Sequence, residues 1–143
     1  MKIFANWQTW ALASAVFAGL TAIFGKVGVT GVNSNLATLL RTMVILAMLG
    51  LIVLWRGEWQ PPSELPGRSL LFLLLSALAT GASWLCYYKA LQMGPASRVA
   101  PIDKLSVVVA MLLAFTFLGE SLTWKALLGG GLVAGGAVLL ALP

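Results

Sequence analysis

Gly94-Pro95-Ala96-Ser97-Arg98-Val99-Ala100-Pro101-Ile102-Asp103-Lys104-Leu105 is the stretch whose reading decides the fold. Apolar runs flank it on both sides, yet it holds a glycine, two prolines and three charges in twelve residues. Gly94-Pro95 ends one helix, because a Gly-Pro pair breaks helical hydrogen bonding. Pro101 has a fixed φ and no N–H, which suits the first turn of the next helix. Gly94, Pro95 and Pro101 are thus read together as a helix break. Asp103 and Lys104 are then carried into a segment apolar enough to sit in lipid. A charge at the centre of a membrane helix costs about 2.5–3.5 kcal/mol on insertion scales, so its presence there demands a physical reason.

Outward from that turn the chain divides into five apolar spans, each near the 20 residues that cross a bilayer. They cover about 7–24, 34–55, 69–91, 99–118 and 123–142. Trp7 and Trp10 suit the membrane interface, where an indole N–H stays wet. Asn33 or Ser34 can cap the second span, and Thr123 can cap the fifth. Arg41 must belong to the second span, because Thr42 to Trp55 alone is too short to cross. The connection Arg56 to Arg68 carries three prolines and mixed charges, and reads as a surface loop. Ile3 to Gly25 is uncharged and long enough to span, so it is read as a first membrane helix and not as a cleaved leader.

Composition excludes most other classes. Of 143 residues, 60% are apolar and 9% charged, against about 25% charged in a soluble domain. There is no histidine and one cysteine, Cys86. That removes intrachain disulfides, the usual His or Cys metal clusters, and Ser-His-Asp or Cys-His catalysis. No cofactor is expected, and no enzyme activity. The net charge of +5 is spread between apolar spans, which fits orientation in a lipid bilayer and not nucleic acid binding.

Charge does not choose that orientation. Five spans put the two termini on opposite sides. Lys2, Arg56, Arg68 and Lys125 fall on the N-terminal side; Lys26, Lys89, Arg98 and Lys104 fall on the other, with Arg41 a fifth if counted. The positive-inside rule therefore gives no winner. Either the rule is noisy in so small a protein, or copies insert both ways and pair antiparallel. No internal repeat is evident; many transporters contain two inverted repeats, and an inverted dimer of identical chains could supply such a second half.

Ala90-Leu91-Gln92-Met93-Gly94-Pro95-Ala96-Ser97-Arg98-Val99-Ala100-Pro101-Ile102 and Phe117-Leu118-Gly119-Glu120-Ser121-Leu122 resemble an EamA-type domain of the drug/metabolite transporter superfamily. Trp10 to Ala18 and Asn35 to Arg41 fit as well, so the likeness covers nearly the whole chain. It implies an α-helical solute carrier in the cytoplasmic (inner) membrane. Typical members have ten spans in two inverted halves, and this chain resembles the short five-span branch. The expected fold is all-α integral membrane: a single domain over 1–143, five transmembrane helices forming one EamA half, completed by antiparallel homodimerisation. The family moves varied small metabolites, and Ile102-Asp103-Lys104-Leu105-Ser106 is more charged than its usual sequence there.

The residues themselves carry the reading further. Arg41 lies about seven residues into its span, roughly 10 Å at 1.5 Å per residue. Asp103 lies roughly 5–8 Å into the fourth by the same rise, and Lys89 a similar distance before Gly94. The intramembrane charges Arg41, Lys89, Asp103 and Lys104 thus share one half of the bilayer. Asp103 is the only acid there, and Arg41 is its first-choice partner because a guanidinium pairs bidentately. The excess of bases favours an anionic or zwitterionic substrate. The plainer alternatives are that Lys89 and Lys104 snorkel to the headgroups and that Asp103 with Arg41 only orients the bundle.

Trp84 and Tyr88 are one helical turn apart and share a face. They can stack on a substrate or a cation, or serve as interfacial packing. Asn35 is a polar candidate for the same cavity. Gly131 and Gly135 form a small-x-x-x-small pair, which lets helices approach closely in lipid; they mark the candidate dimer contact, or packing inside one subunit. The expected function is transport of a small solute by alternating access. The competing expectation is a non-transporting small subunit that stabilises a larger membrane complex.

Overall fold

The computed structural model describes residues 6–142. Lys2, which enters the charge count above, lies outside them. Six α-helices follow in order: α1 (Trp7–Gly28), α2 (Ser34–Arg56), α3 (Gly67–Met93), α4 (Ala96–Asp103), α5 (Ser106–Leu118) and α6 (Trp124–Ala141). The α4–α5 stretch, Ala96–Leu118, counts as one span, so five stretches are long and apolar enough to cross a membrane. Large apolar side chains such as Phe17, Leu46, Leu78, Phe117 and Leu139 are exposed along these helices. Water does not tolerate such a surface; lipid does, provided every backbone polar group is satisfied inside the helices. The chain is an all-helical multi-pass membrane protein.

The helices group into two compact units, Met1–Val27 with Met93–Pro143, and Gly28–Gln92. In the second, Asn33 caps α2: its Oδ1 accepts from the backbone N–H of Asn35 at 2.9 Å and of Leu36 at 3.4 Å. Gly57 ends α2 at φ 65, a left-handed conformation that a side chain would strain. Its N–H and that of Glu58 return to the last-turn carbonyls of Leu54 and Val53. The end of α3 is tied to the α1–α2 turn by Gln92, whose Nε2 donates to the Val32 carbonyl at 2.9 Å. Leu91 and Val29 are fully buried in the same unit.

In the first unit, α6 packs against α4 and α5. Gly130 makes that contact possible: a Cβ built there would lie 3.1 Å from Met111 Cε and 3.3 Å from its Sδ. Ala137, two turns on, is buried on the same stripe. Thr123 caps α6 by accepting from Ala126 N–H at 3.2 Å. Lys26, at the end of α1, donates to the Gly94 carbonyl at 2.8 Å.

The fourth span departs from its sequence reading in two ways. It starts at Ala96, three residues before the expected Val99, with Pro95 as the cap; the Pro95 carbonyl accepts from Arg98 and Val99 N–H. Pro101 is therefore not in the first turn but inside α4. With no N–H on Pro101, the Ser97 carbonyl loses its usual partner, and the helix tightens just beyond. Lys104, Leu105, Val107 and Val108 all bond three residues back, at 3.0 Å, the pattern of a 3₁₀ segment. The break falls at 104–105, after Asp103, where the sequence suggested an unbroken span.

Candidate functional site

Arg41 is the eighth residue of α2 and shares a helix face with Ser34, Thr38 and Ile45. Ser34 and Thr38 are buried, so this face points inward within its unit. The Thr38 hydroxyl donates to Ser34 C=O at 2.8 Å, and Thr42 donates to Thr38 C=O at 2.7 Å. Those local bonds satisfy the two hydroxyl protons and leave the oxygen lone pairs as acceptors.

The Arg41 guanidinium lies over two rings of α3. Its carbon is 4.1 Å from the centre of the Trp84 ring and 5.0 Å from that of Tyr88. Tyr88 is buried, at 6% exposure. One helical turn separates Trp84 from Tyr88, so α3 offers both rings to a single cation. Among the described residues the guanidinium meets no carboxylate within ion-pair distance and no hydrogen-bond acceptor. With no acceptor among the described residues, its N–H donors are available, in the fork that recognises carboxylates bidentately.

Beside this cation, α2 and α3 enclose an open groove of about 630 Å³. Its α2 wall runs from Asn35 through Thr38 and Thr42 to Ile45 and Leu49; its α3 wall includes Leu73, Ala77, Thr80 and Trp84. Both walls follow the three- and four-residue spacing of a helix face. The volume lies within the usual 300–1,000 Å³ of small-molecule sites.

The other candidates make contacts of their own. Lys89 is exposed, and its Nζ donates to Gln92 Oε1 at 3.4 Å, next to Gln92's own bond to Val32. Asp103, expected as the ionic partner of Arg41, accepts from its neighbour Lys104 at 3.3 Å. Because α4 begins at Ala96, Asp103 is the eighth residue of its helix, deeper than the sequence suggested. That is as far along as Arg41 is in α2. Gly94 and Pro95 form the α3–α4 joint. Gly131 and Gly135 face open space, with nothing within 4 Å of an added Cβ. Sequence reasoning passed over two residues. Gln92 ties α3 to the α1–α2 turn; it lies in the stretch that carries the resemblance, but nothing in that stretch assigned its side chain a partner. Gly130 carries the α6 contact, and its signal was hidden inside the run Gly129-Gly130-Gly131.

These features define a polytopic helical membrane protein with a cation held between helices. Residues 5–142 match the EamA-like transporter family, and the chain belongs to that family. It is 57% identical over 136 residues, 95% of this chain and 96% of the other, to a Sinorhizobium protein named "Uncharacterized transporter in cobO 3'region". No solved structure matches it. A transporter role follows, and with it a small-molecule substrate and a lipid environment.

Proposed function

We propose that this transporter moves a small anionic or zwitterionic metabolite across the cytoplasmic (inner) membrane by alternating access, as an antiparallel homodimer of two oppositely inserted copies. The observation that carries the substrate reading is Arg41. A guanidinium inside a membrane-length helix, stacked on Trp84 and Tyr88 and without an acidic partner among the described residues, is expensive unless a ligand or water compensates it. An anion that binds there on each cycle supplies that compensation. The excess of bases over acids among the intramembrane charges of the sequence favours the same reading. The tied charge count and the single five-span half favour two opposed copies sharing one two-fold site.

The test is transport by purified protein in proteoliposomes, against labelled monocarboxylates, amino acids and phosphorylated metabolites. Arg41→Ala is expected to abolish transport while the protein still folds and purifies. Unchanged transport in that variant removes Arg41 from the site. Inactivity of the pure chain, together with fixed-ratio copurification of a second membrane protein, would replace the carrier with an accessory subunit.

A further inference from the structure

The α2–α3 groove is graded along its length, and the transport reading makes no use of that gradient. At the end nearest Arg41 its walls carry Asn35, Thr38 and Trp84; past Thr42 on α2 and Thr80 on α3 they carry Ile45, Leu49, Ala77 and Leu73, with Ser76 the one hydroxyl among them. Arg41 flanks the groove at its polar end: its guanidinium is 4.1 Å from the centre of the Trp84 ring, and Trp84 lines the groove. From Arg41 to Leu49 is eight residues, about 12 Å of helix.

Resting on the carrier reading above, we infer that the ligand is an amphipathic monocarboxylate: its carboxylate meets the N–H edge of Arg41 and its apolar body lies along the groove towards Leu49 and Leu73. The polarity gradient and the charge at one end argue for this occupant. The stacked guanidinium presents a planar fork that fits a planar carboxylate. Asn35 and the lone pairs of Thr38 and Thr42 supply neutral polar contacts near the head. Against Ile45, Leu49, Leu73 and Ala77 the far end sets a single hydroxyl, Ser76, so a uniformly polar metabolite would leave most of that end uncompensated. A phospholipid keeps its phosphate at the interface, whereas Arg41 lies about 10 Å along its helix. A free carboxylate reaches that depth without dragging a headgroup out of water.

The experiment titrates the full-length protein, in lipid nanodiscs, with straight-chain monocarboxylates from butanoate to decanoate and with the matching alcohols, reading Kd by calorimetry. Affinity is expected to rise about two- to fourfold for each added methylene until the groove is full, the increment set by burying one CH₂. Each acid is expected to bind at least tenfold tighter than its alcohol. Arg41→Gln should erase the acid-over-alcohol preference and keep the chain-length slope. Ala77→Phe, which fills the apolar end away from Arg41, should flatten the slope and keep the preference. Leu49→Trp does the same if Ala77→Phe does not fold. Equal binding of acids and alcohols, absence of a slope in the wild-type protein, or a slope unaltered by both filling variants overturns the inference. So does retention of a phospholipid in native mass spectra that only the filling variants lose. Tight, chain-dependent binding without transport in proteoliposomes would leave this inference standing and sink the carrier reading. Transport of short polar anions without a slope would do the reverse.

Discussion

The guanidinium of Arg41 rests on the indole of Trp84, 4.1 Å from the ring centre. This contact joins α2 to α3 through a charge that the surrounding apolar helices could not otherwise hold. An arginine over an aromatic face gains about 0.5–1 kcal/mol when exposed and about 2 when desolvated. Arg41 is half-buried, which places the contact between those limits. Trp84→Leu should therefore destabilise the protein by about 1 kcal/mol in a denaturant titration of the solubilised protein. Trp84→Phe should recover part of it, because a smaller ring keeps the quadrupole. In an Arg41→Gln background the Trp84→Leu cost should shrink, and the difference is the coupling energy of the pair. Equal costs in both backgrounds would show that Trp84 only fills space.

The glycines of α6 give opposite expectations for neighbouring positions. Gly130→Leu would drive a side chain into Met111, already 3.1 Å from a bare Cβ. Met is flexible and can yield a little, but a leucine needs more room than it can clear. Overpacking of this kind costs about 1–3 kcal/mol, and lower yield with a lower melting temperature is expected. Gly131→Leu and Gly135→Leu meet open space, so the monomer fold should survive. If those two glycines form the contact between copies, one of the two roles the sequence offers them, crosslinked dimer should fall sharply in both variants. Unchanged dimer in both moves the contact off α6.

Lys26 offers a third test. Gly94 lies in the α3–α4 joint, and the N–H groups that would reach its carbonyl are committed or absent. Pro95 has none, and Arg98 N–H bonds Pro95 C=O. Lys26 Nζ fills the gap at 2.8 Å. Hydrogen bonds to charged groups contribute about 1.5–3 kcal/mol, and a buried acceptor left alone costs about as much. This site is part-buried, so Lys26→Met should cost about 1–2 kcal/mol. Amide exchange should quicken first at Arg98 and Val99, the opening turn of α4. Exchange that quickens uniformly along the chain would argue that Lys26 does not act at this joint.

The five spans were legible in the sequence because apolar length alone separates a membrane helix from everything else. Helix ends were legible where a side chain makes the cap, as at Asn33 and Thr123. The start of α4 was less so. Proline is accepted both in a first turn and just before a break, and the sequence does not distinguish the two. The structure uses Pro95 for the cap and Pro101 for the break. At the site, the shared face of Trp84 and Tyr88 follows from helical spacing, and the depth of Arg41 follows from counting residues. That the guanidinium meets those rings depends on how α2 and α3 pack, which periodicity does not encode. The groove was hidden for the same reason: each wall is an ordinary helix stripe, and the gradient exists only when the two are set side by side.

Orientation gives the last prediction. With lysines and arginines balanced across the two sides, a reporter fused to the C-terminus should be active on both sides of the membrane, in comparable amounts. The α2–α3 connection, with its short 3₁₀ turn at Pro62–Glu64, is the place to upset the balance, because short loops close to span ends set topology. Gln60→Lys with Ser63→Lys adds two charges to the N-terminal side and should drive that side to the cytoplasm. Arg56→Gln with Arg68→Gln removes two, although it also costs the exposed Arg56–Glu58 pair at 2.8 Å, a contact worth little at a surface. That variant should insert the other way. Neither biased variant should transport alone, since each supplies copies of one orientation only. Coexpressing the two restores the opposed pair and should restore transport. Full activity of either variant by itself, with its reporter confined to one side, would rule out the antiparallel dimer and leave a parallel assembly or a monomer as the working form.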